Sequence, residues 1–442
     1  MAGSATTANP TVAIIGLGYV GLPLALEFAR VGCRVIGLDI DSSKIQQLRE
    51  GHCYLKHVLA SDLPELIQAK RIQPATDFEQ LREAEAVLIC VPTPITEARE
   101  PDLEYVVSTS RMVARHLQRG QLIILESTTY PGTTEEVVLP ILEESGLRCP
   151  NDLNSPQAVS DFYLAFSPER IDPGNRRFAF ADIPKIVGGV NSASAERARE
   201  LYGRVFKGVV VVSSTQTAEM TKLLENIYRA VNIALVNELK LICQRLGIDI
   251  WEVIAAAATK PYGFTPFYPG PGLGGHCIPI DPFYLAWKVR QYDMTTRFIE
   301  LAGEVNAAMP GHVVHSIGDA LNEGGKALKG AKILILGVAY KKDIDDMRES
   351  PALRIMELLL ERGAVVAYND PHVPRLSPTR RYDFSHLASV PLDNLADYDC
   401  VVVVTDHSAY DFAQIVREAQ LVVDTRNATR NVPGASGKVV RS

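Results

Sequence analysis

The chain contains 442 residues, of which 47% are hydrophobic and 22% charged, the balance of an ordinary globular protein. Its 45 lysines and arginines against 52 aspartates and glutamates leave a net charge of −7, and no basic block stands out, which excludes a typical nucleic-acid-binding protein. No aliphatic run approaches the roughly 20 residues that span a bilayer, so we expect no membrane segment. The N-terminus lacks the basic and then apolar pattern of a signal peptide. At about 150 residues per domain, the length predicts about three domains.

The cysteines and histidines indicate no metal site. Seven cysteines are scattered along the chain, odd in number and without a CxxC pair, which predicts a reducing, cytoplasmic location without disulfides or structural zinc. Most of them lie inside apolar runs, where a small buried side chain is the expected role.

Short β-branched runs alternate with helical stretches in the first half of the chain, which predicts βαβ units and a mostly parallel sheet. We assign residues 11–215 to this first domain. The predicted strands are 11–16, 34–39, 86–91, 121–127, 162–167, 183–189 and 209–214.

A long helix is predicted from Gln216 to Gly247, because no glycine or proline interrupts that stretch. Asp249 is a candidate N-cap for the next helix, and helical patterns continue to about Glu323, which defines a central region over 216–323. A second series of apolar runs at 331–340, 364–370, 400–406 and 421–427 predicts a third domain over 330–430. The predicted fold is α/β, with two doubly wound, Rossmann-like domains joined by a central helical region that contains one long helix.

The first predicted strand leads directly into a glycine-rich loop. Gly16, Gly18 and Gly21 form a GxGxxG motif followed by an amphipathic helix, the arrangement that places a dinucleotide pyrophosphate at a helix N-terminus. The second strand ends at Asp39, 18 residues after Gly21, where an acid binds ribose hydroxyls and repels a 2′-phosphate. The sequence therefore predicts an NAD site, and NAD in preference to NADP.

Three polar residues share one stripe of the long helix. Lys222, Asn226 and Arg229 are spaced at i, i+4 and i+7. A polar stripe on a buried helix must be paired or must face a ligand, so Lys222 is a candidate acid/base and Asn226 a candidate orienting group. The alternative is a solvated helix edge.

A second glycine-rich segment, GPGLGGHCIPID at 270–281, contains Cys277. Asp281 and Pro282 indicate a helix start, and a thiol just before a helix N-terminus has a lowered pKa and reacts readily. Cys277 is therefore a candidate nucleophile, with a buried structural cysteine as the alternative.

Basic residues gather after the strands of the third domain, where ligands bind parallel sheets. This predicts a site for an anionic substrate, with a solvated basic face as the alternative. The residues are Lys341, Lys342, Arg348 and Arg426.

Together these features resemble the UDP-sugar 6-dehydrogenases of the nucleotide-sugar dehydrogenase family. The resemblance runs from Val12 to about Asn427. Besides the glycine loop, Lys222 with Asn226, and GLGGHCIPID, it is carried by VPTP at 91–94, Ser127-Thr128 with PGT at 131–133, SPER at 167–170 and AYKKDIDDMRES at 339–350.

The resemblance implies two successive NAD-dependent oxidations that convert a sugar hydroxymethyl group into a carboxylate. Cys277 would capture the aldehyde as a thiohemiacetal and then hold a thioester. The implied catalytic residues are Cys277, Lys222 as acid/base, Asn226 and Asp281 as orienting groups, Glu169 as the acid/base of hydrolysis, and Thr128 in the water network. Besides the glycines, the implied cofactor-binding residues are Tyr19, Val20, Asp39, Lys44, Thr93, Thr128 and Arg348. The implied substrate-binding residues are Arg170, Ile171, Lys222, Asn226, Arg229, Gly275, Tyr340, Lys341 and Arg426.

Two departures concern the sugar. UDP-glucose members of the resembled family usually carry an acid at the position of Pro173 and a lysine at that of Ile280. Residues 259–288 are most similar to the branch acting on UDP-N-acetylglucosamine, which makes it the expected substrate. UDP-N-acetylmannosamine and UDP-glucose are the alternatives.

The long helix also predicts a homodimer, because its apolar residues cover more of its circumference than one contact within the chain needs. Two other functions stay open. A hydroxyacid-type dehydrogenase would perform a single oxidation and need no thiol, and an NAD-sensing protein would show no turnover.

Overall fold

Two β-sheets dominate the computed structural model, which describes residues 9–55, 58, 60–96, 98–151, 160–170, 178–275, 278–379, 381–435 and 437–442. The chain divides into two units. The first comprises Met1–Glu225 and Trp287–Met294, and the second comprises Asn226–Ala286 and Thr295–Ser442. Among the described residues, no helix is both long enough and apolar enough to cross a membrane.

The first unit contains an eight-stranded sheet formed by the apolar runs of the sequence. Its strands are β1 (Thr11–Ile15), β2 (Arg34–Leu38), β3 (Ile72–Ala75), β4 (Ala86–Ile89), β5 (Leu122–Leu125), β6 (Tyr163–Phe166), β7 (Lys185–Gly189) and β8 (Val209–Val212). Their order is β3-β2-β1-β4-β5-β6-β7-β8, and all neighbours are parallel except β6 and β7. The first six strands have the dinucleotide-binding order, with the chain reversing its direction of winding between β1 and β4.

Helices connect these strands and cover both faces of the sheet. They are α1 (Gly21–Arg30), α2 (Ser42–Arg49), α3 (Leu63–Gln68), α4 (Glu104–His116), α5 (Leu139–Glu143) and α6 (Ser192–Tyr202). Side chains alternate between two apolar layers along β1, with Val12 and Ile14 in one layer and Ala13 and Ile15 in the other. Burial on both faces explains why the strands are almost entirely apolar.

In the sequence, a helical stretch separates the strands of the two sheets. It begins with the 32-residue α7 (Thr215–Leu246), which contributes to both units. Gly247 follows it with a φ of +69°, the left-handed conformation that commonly ends helices. Asp249 caps α8 (Ile250–Ala257) by accepting a hydrogen bond from the Trp251 N–H. Two further helices are α9 (Asp281–Val289) and α10 (Arg297–Glu323).

A five-stranded parallel sheet lies in the second unit. Its strands are β9 (Lys332–Leu336), β10 (Val365–Asn369), β11 (Cys400–Val403), β12 (Val422–Asp424) and β13 (Val439–Arg441), joined by α11 (Pro351–Glu361) and α12 (Phe412–Glu418). The order β10-β9-β11-β12-β13 is again doubly wound.

The predicted fold class is confirmed, and so is the long helix. The strands β3 and β13, each at one edge of its sheet, were not predicted from the sequence. The first is short and contains Pro74, and the second has only three residues, so neither gives a clear strand pattern. The division into three domains stays a prediction.

Candidate cofactor and substrate sites

The loop after β1 has the geometry of a dinucleotide-binding turn. Gly16 adopts a φ of +91° and donates its N–H to the Leu38 carbonyl oxygen, 2.8 Å away. A Cβ added at Gly21, the first residue of α1, would lie 1.9 Å from the Gly16 carbonyl oxygen, so the turn closes only with glycine there. A Cβ at Gly18 would meet nothing within 4 Å, which leaves this backbone open to a ligand. No side chain caps α1 at Val20, so the helix N-terminus is available to an anion.

Asp39, which directly follows β2, holds this loop through hydrogen bonds to its carboxylate. The carboxylate is 8% exposed, and its Oδ2 accepts the Leu17 N–H at 2.9 Å while Oδ1 accepts the Asp41 N–H at 2.9 Å. The Lys44 ammonium lies 3.5 Å from Oδ2. A carboxylate has about four acceptor positions, and these three donors leave one for a ribose hydroxyl. The residues present therefore fit NAD, and a 2′-phosphate would face a negative charge.

Two threonines follow the neighbouring strands at the same sheet edge. Thr93 comes after β4 and is buried, and Thr128 comes after β5 and is half-buried. The strands β1, β4 and β5 are parallel neighbours, so both threonines lie at the edge that carries the glycine loop. Tyr19, in the loop itself, packs against the apolar core.

Glu169 belongs to a buried ionic network that the sequence analysis missed. The Lys185 ammonium lies 2.6 Å from Glu126 Oε2 and 3.3 Å from Glu169 Oε2. The Tyr202 hydroxyl donates to the other oxygen of Glu126. The signal in the sequence is the single charge in the strand KIVGG, at Lys185, and the acid that directly follows the apolar run of β5.

Arg170, next to Glu169, is held by α7 and by the loop before β7. Its guanidinium pairs with Glu225 at 2.6 Å and donates to the Pro184 carbonyl oxygen at 2.7 Å.

The polar stripe on α7 is only partly buried. Lys222 and Asn226 are 8% and 6% exposed, whereas Arg229 is exposed, so the argument from burial does not apply to Arg229. One turn before Lys222, the buried Glu219 accepts hydrogen bonds from the N–H groups of Gly132 (2.6 Å) and Thr134 (2.9 Å). Glu219 thus fixes α7 to the loop that begins at Thr128, a link that the sequence does not reveal.

In the second unit, Asn226 donates its amide to Asp281 Oδ2 at 2.5 Å. Both side chains are buried, and Asp281 is the first residue of α9. The two residues are 55 positions apart in the sequence, so the fold creates this pair.

The glycine-rich segment lies against residues that follow strands of the second sheet. A Cβ at Gly274 would lie 2.5 Å from the Tyr340 Cβ, and one at Gly270 would lie 2.5 Å from Arg426 Nη1. Gly275 donates its N–H to the Arg348 carbonyl oxygen at 3.0 Å. The approach at Gly274 requires glycine, and the three contacts bring several predicted substrate-binding residues together.

Basic residues line a cavity of about 360 Å³ at the carboxyl edge of the second sheet. Lys342, Arg426 and Arg430 contribute the positive charge. Arg426 donates to the Val404 carbonyl oxygen at 2.9 Å, and burial lowers its pKa. Lys341 is half-buried. The Arg348 guanidinium forms a bidentate ion pair with the Asp346 carboxylate, at 2.7 Å. The cavity can hold an anionic group such as a diphosphate.

A cluster of Asp343, His372 and His407 also forms in this unit. The His407 Nδ1 accepts the Asp343 N–H at 2.9 Å, and its Nε2 lies 3.1 Å from Asp370 Oδ2. Both ring nitrogens are therefore occupied by the protein, and the cluster is a structural network.

Two predicted site residues, Ile171 and Cys277, lie outside the described residues, as does Pro173.

Comparison with known proteins adds to this geometry. Models of the UDP-glucose/GDP-mannose dehydrogenase family match the chain as its NAD binding domain over residues 10–206, its central domain over 216–308 and its UDP binding domain over 334–431.

Individual relatives cover nearly the whole chain. UDP-N-acetyl-D-mannosamine dehydrogenase of Methanococcus maripaludis is 34% identical over 429 residues, covering 94% of this chain and 92% of that protein. UDP-N-acetyl-D-glucosamine 6-dehydrogenase of Pseudomonas aeruginosa is 35% identical over 401 residues, covering 90% of this chain and 91% of that protein. The solved structure of UDP-D-ManNAc dehydrogenase from Pyrococcus horikoshii has a TM-score of 0.83 at 33% identity, covering 96% of this chain and 97% of that one.

Proposed function

Since this chain belongs to the UDP-glucose/GDP-mannose dehydrogenase family, we propose that it oxidises the 6-hydroxymethyl group of a UDP-N-acetylhexosamine, with UDP-N-acetylglucosamine as the first candidate. It is an NAD-dependent UDP-sugar dehydrogenase. The observation that carries the proposed route is the buried hydrogen bond between Asn226 and Asp281. Asp281 follows Cys277 by four residues, so one member of a polar pair suited to orient oxygen and water belongs to the same segment as the thiol.

In the first oxidation, Lys222 takes the proton of the 6-hydroxyl group while Asn226 holds its oxygen. Lys222 is 8% exposed, and a shielded amine exchanges protons with a bound substrate more readily than with bulk water. NAD, when bound, accepts one hydride in each of the two oxidations.

Cys277 prevents the aldehyde from escaping. Its thiolate adds to the aldehyde carbon and forms a thiohemiacetal, whose oxyanion is stabilised by the Lys222 ammonium. Loss of the second hydride converts this adduct into a thioester. Water then cleaves the thioester, with Glu169 as acid/base and with Asp281 and Thr128 in the water network.

The remaining residues bind the two ligands. We assign NAD to Gly16, Gly18, Tyr19, Val20, Gly21, Asp39, Lys44, Thr93, Thr128 and Arg348, and the UDP-sugar to Arg170, Ile171, Lys222, Asn226, Arg229, Gly275, Tyr340, Lys341 and Arg426. The cavity at the second sheet supports the assignment of Arg426, which lines it, because a diphosphate needs such a donor.

The choice of an N-acetyl sugar follows from two substitutions. Pro173 and Ile280 remove an acid and a lysine that the UDP-glucose branch usually carries, and Ile280 is buried next to Asp281. A less polar pocket suits an uncharged acetamido group, whose methyl needs packing. The relatives described above act, by their names, on UDP-N-acetylmannosamine and UDP-N-acetylglucosamine, which supports this class.

Initial rates of NADH formation with four UDP-sugars test the substrate. At equal concentrations of UDP-glucose, UDP-N-acetylglucosamine, UDP-N-acetylgalactosamine and UDP-N-acetylmannosamine, we expect UDP-N-acetylglucosamine to exceed UDP-glucose by about tenfold or more in kcat/KM, from roughly 1–3 kcal/mol of lost packing. Ile280→Lys should reduce that ratio. Highest activity with UDP-glucose would overturn the pocket argument, and highest activity with UDP-N-acetylmannosamine would overturn only the branch.

We also propose a homodimer formed through α7. Tyr228, Leu235, Leu239, Ile242 and Leu246 are each exposed by more than a third, and helical spacing places them on one narrow stripe. An adjoining groove of about 610 Å³ is lined by further apolar residues of α7, α8 and the segment 261–267. A second copy of the chain would cover this apolar surface in a symmetric contact.

We also propose three domains and a cytoplasmic location for this protein. The three family models support domains at 11–215, 216–323 and 330–430. The free thiols of the six described cysteines suit the reducing conditions of the cytoplasm.

A further inference from the structure

Lys185 and Glu126 form a buried ion pair that has not yet been given a role, although Lys185 also contacts Glu169. Lys185 projects from β7 and Glu126 follows β5, and the two side chains are 3% and 0% exposed. The Glu169 side chain is 12% exposed and lies at the outer end of the network. Within the described part of the chain, exposure to solvent therefore increases from Glu126 through Lys185 to Glu169.

We propose that Lys185 is a positioning residue for thioester hydrolysis, in which its ammonium, anchored by Glu126, holds the Glu169 carboxylate in the orientation needed for catalysis. This inference rests on the proposed function, which assigns the hydrolysis to Glu169.

The charges in the network support this role. Cys90 and Tyr202 also face it, and burial raises the pKa of each group well above its usual value, so both stay neutral. Among the described residues, this leaves Glu126, Glu169 and Lys185 as the charged groups of the network. Glu126 is entirely buried and 2.6 Å from the ammonium, so it forms the tight pair. Glu169, at 3.3 Å, is the second partner of the same ammonium.

The ammonium is fixed on several sides. Besides the two carboxylates, the rings of Tyr202 and Phe206 lie with their centroids 5.1 and 5.5 Å from Nζ, and Tyr202 also holds Glu126. Arg170 is engaged by Glu225. Glu169 Oε1 in turn accepts the Arg170 N–H at 2.7 Å, so both carboxylate oxygens have a fixed partner.

A held carboxylate serves the hydrolysis step directly. As water adds to the thioester carbon, a C–O bond forms and Glu169 accepts one water proton. The C–S bond then breaks, the Cys277 thiolate leaves with the bond electrons, and the sugar acid is released. No oxidant is needed in this step. Without Lys185, the buried Glu126 would favour its protonated form and Glu169 would lose the contact that orients it.

The experiment compares Lys185→Met with wild type in full-length enzyme, using the UDP-sugar that gives the highest wild-type rate. We expect a burst of two NADH per active site, then steady-state turnover slower by about tenfold or more. Intact-protein mass spectrometry should detect the sugar acyl group on the protein during turnover.

Two further variants distinguish positioning from stability. Glu126→Gln with Lys185→Met removes the buried charges together, so it should fold where the single variant is unstable and still hydrolyse slowly. Lys185→Arg should restore most of the rate. Lys207→Met is the matched control, because Lys207 forms a surface ion pair with Asp182 at 2.5 Å, and it should show no acyl accumulation.

Wild-type hydrolysis in the double variant, with no acyl enzyme detected, would overturn the role of Lys185. Failure of the wild type to form two NADH with any UDP-sugar would instead refute the proposed function, so the two failures are distinguishable.

Discussion

Replacing Asp39 with asparagine tests both the stability of the glycine loop and the preference for NAD. The carboxylate accepts one backbone N–H on each oxygen, from Leu17 and from Asp41, both at 2.9 Å. An asparagine offers one acceptor oxygen, and its NH₂ group must face one of the two N–H donors. Whichever way the amide turns, one backbone donor near the pyrophosphate loop loses its partner.

The magnitudes follow from these contacts. A buried N–H without a partner costs about 1–3 kcal/mol, so Asp39→Asn should destabilise the protein without cofactor by about that amount. Two unit charges about 4 Å apart interact by about 4 kcal/mol at an effective dielectric constant near 20. Lys44, 3.5 Å from Asp39, offsets part of the repulsion of a 2′-phosphate. We therefore expect the NAD over NADP ratio of kcat/KM to fall by about 10- to 100-fold in the variant, which corresponds to about 1.4–2.8 kcal/mol.

Denaturant unfolding measures the first effect, and initial rates with NAD and NADP measure the second. Asp41→Asn is the matched control: Asp41 caps α2 by accepting the Ser43 N–H at 2.9 Å, and asparagine caps helices equally well. The control should change stability by less than about 0.5 kcal/mol and leave the coenzyme ratio intact. Equal stability losses in the two variants, or an unchanged coenzyme ratio in Asp39→Asn, would refute the role given to Asp39.

Two predictions concern α7. Burial lowers the pKa of Lys240 to about 7, and its ammonium has no hydrogen-bond partner among the described residues. Between pH 7 and 10.5, the amine of Lys240 is therefore protonated in the unfolded chain but neutral in the folded protein. The free energy of unfolding rises with pH across this range. Lys240→Met should raise the free energy of unfolding at pH 7 by up to about 4 kcal/mol, with the gain vanishing towards pH 10.5, and an equal gain at both pH values would contradict this. Leu235→Glu places a charge on the exposed apolar stripe and should convert a dimer into a monomer in light scattering at micromolar concentration, whereas Leu360→Glu on α11 should not; a wild-type monomer would refute the interface.

The sequence predicts most of the fold because the strands are strongly apolar and both sheets follow βαβ rules. The eight-strand order and the doubly wound second sheet require pairing information, but the position of β1, the glycine loop and Asp39 can be found from spacing alone. The missed strands β3 and β13 lie at sheet edges, where half of the strand has no partner and the apolar pattern is short.

The site is less predictable where charges meet across strands. Lys185 and Glu126 are 59 residues apart and come from two strands that are not neighbours, so no local pattern joins them. A lone lysine in an apolar strand signals that a buried partner exists but not which acid it is. The same limit applies to Glu219, whose partners Gly132 and Thr134 lie at least 85 residues away.

Asp370 has the position in the second sheet that Asp39 has in the first, but a different role. It follows β10 as Asp39 follows β2, and its carboxylate likewise accepts N–H groups of the turn after the first strand, at 2.8 Å from Val338 and 3.0 Å from Ala339. His407 occupies the same oxygen, and Asp370 is 2% exposed. The acid at this strand end therefore holds the loop structure, in keeping with the absence of the GxGxxG pattern from the second series.

The number of NADH molecules formed per UDP-sugar consumed tests the central claim most directly. The proposed thiol route requires two NADH and one uronic acid per sugar in the wild type. Cys277→Ser should fold and bind both ligands but lose this turnover, because a serine hydroxyl is a far weaker nucleophile at neutral pH. A ratio of one NADH per sugar, or full steady-state activity in Cys277→Ser, would contradict the account.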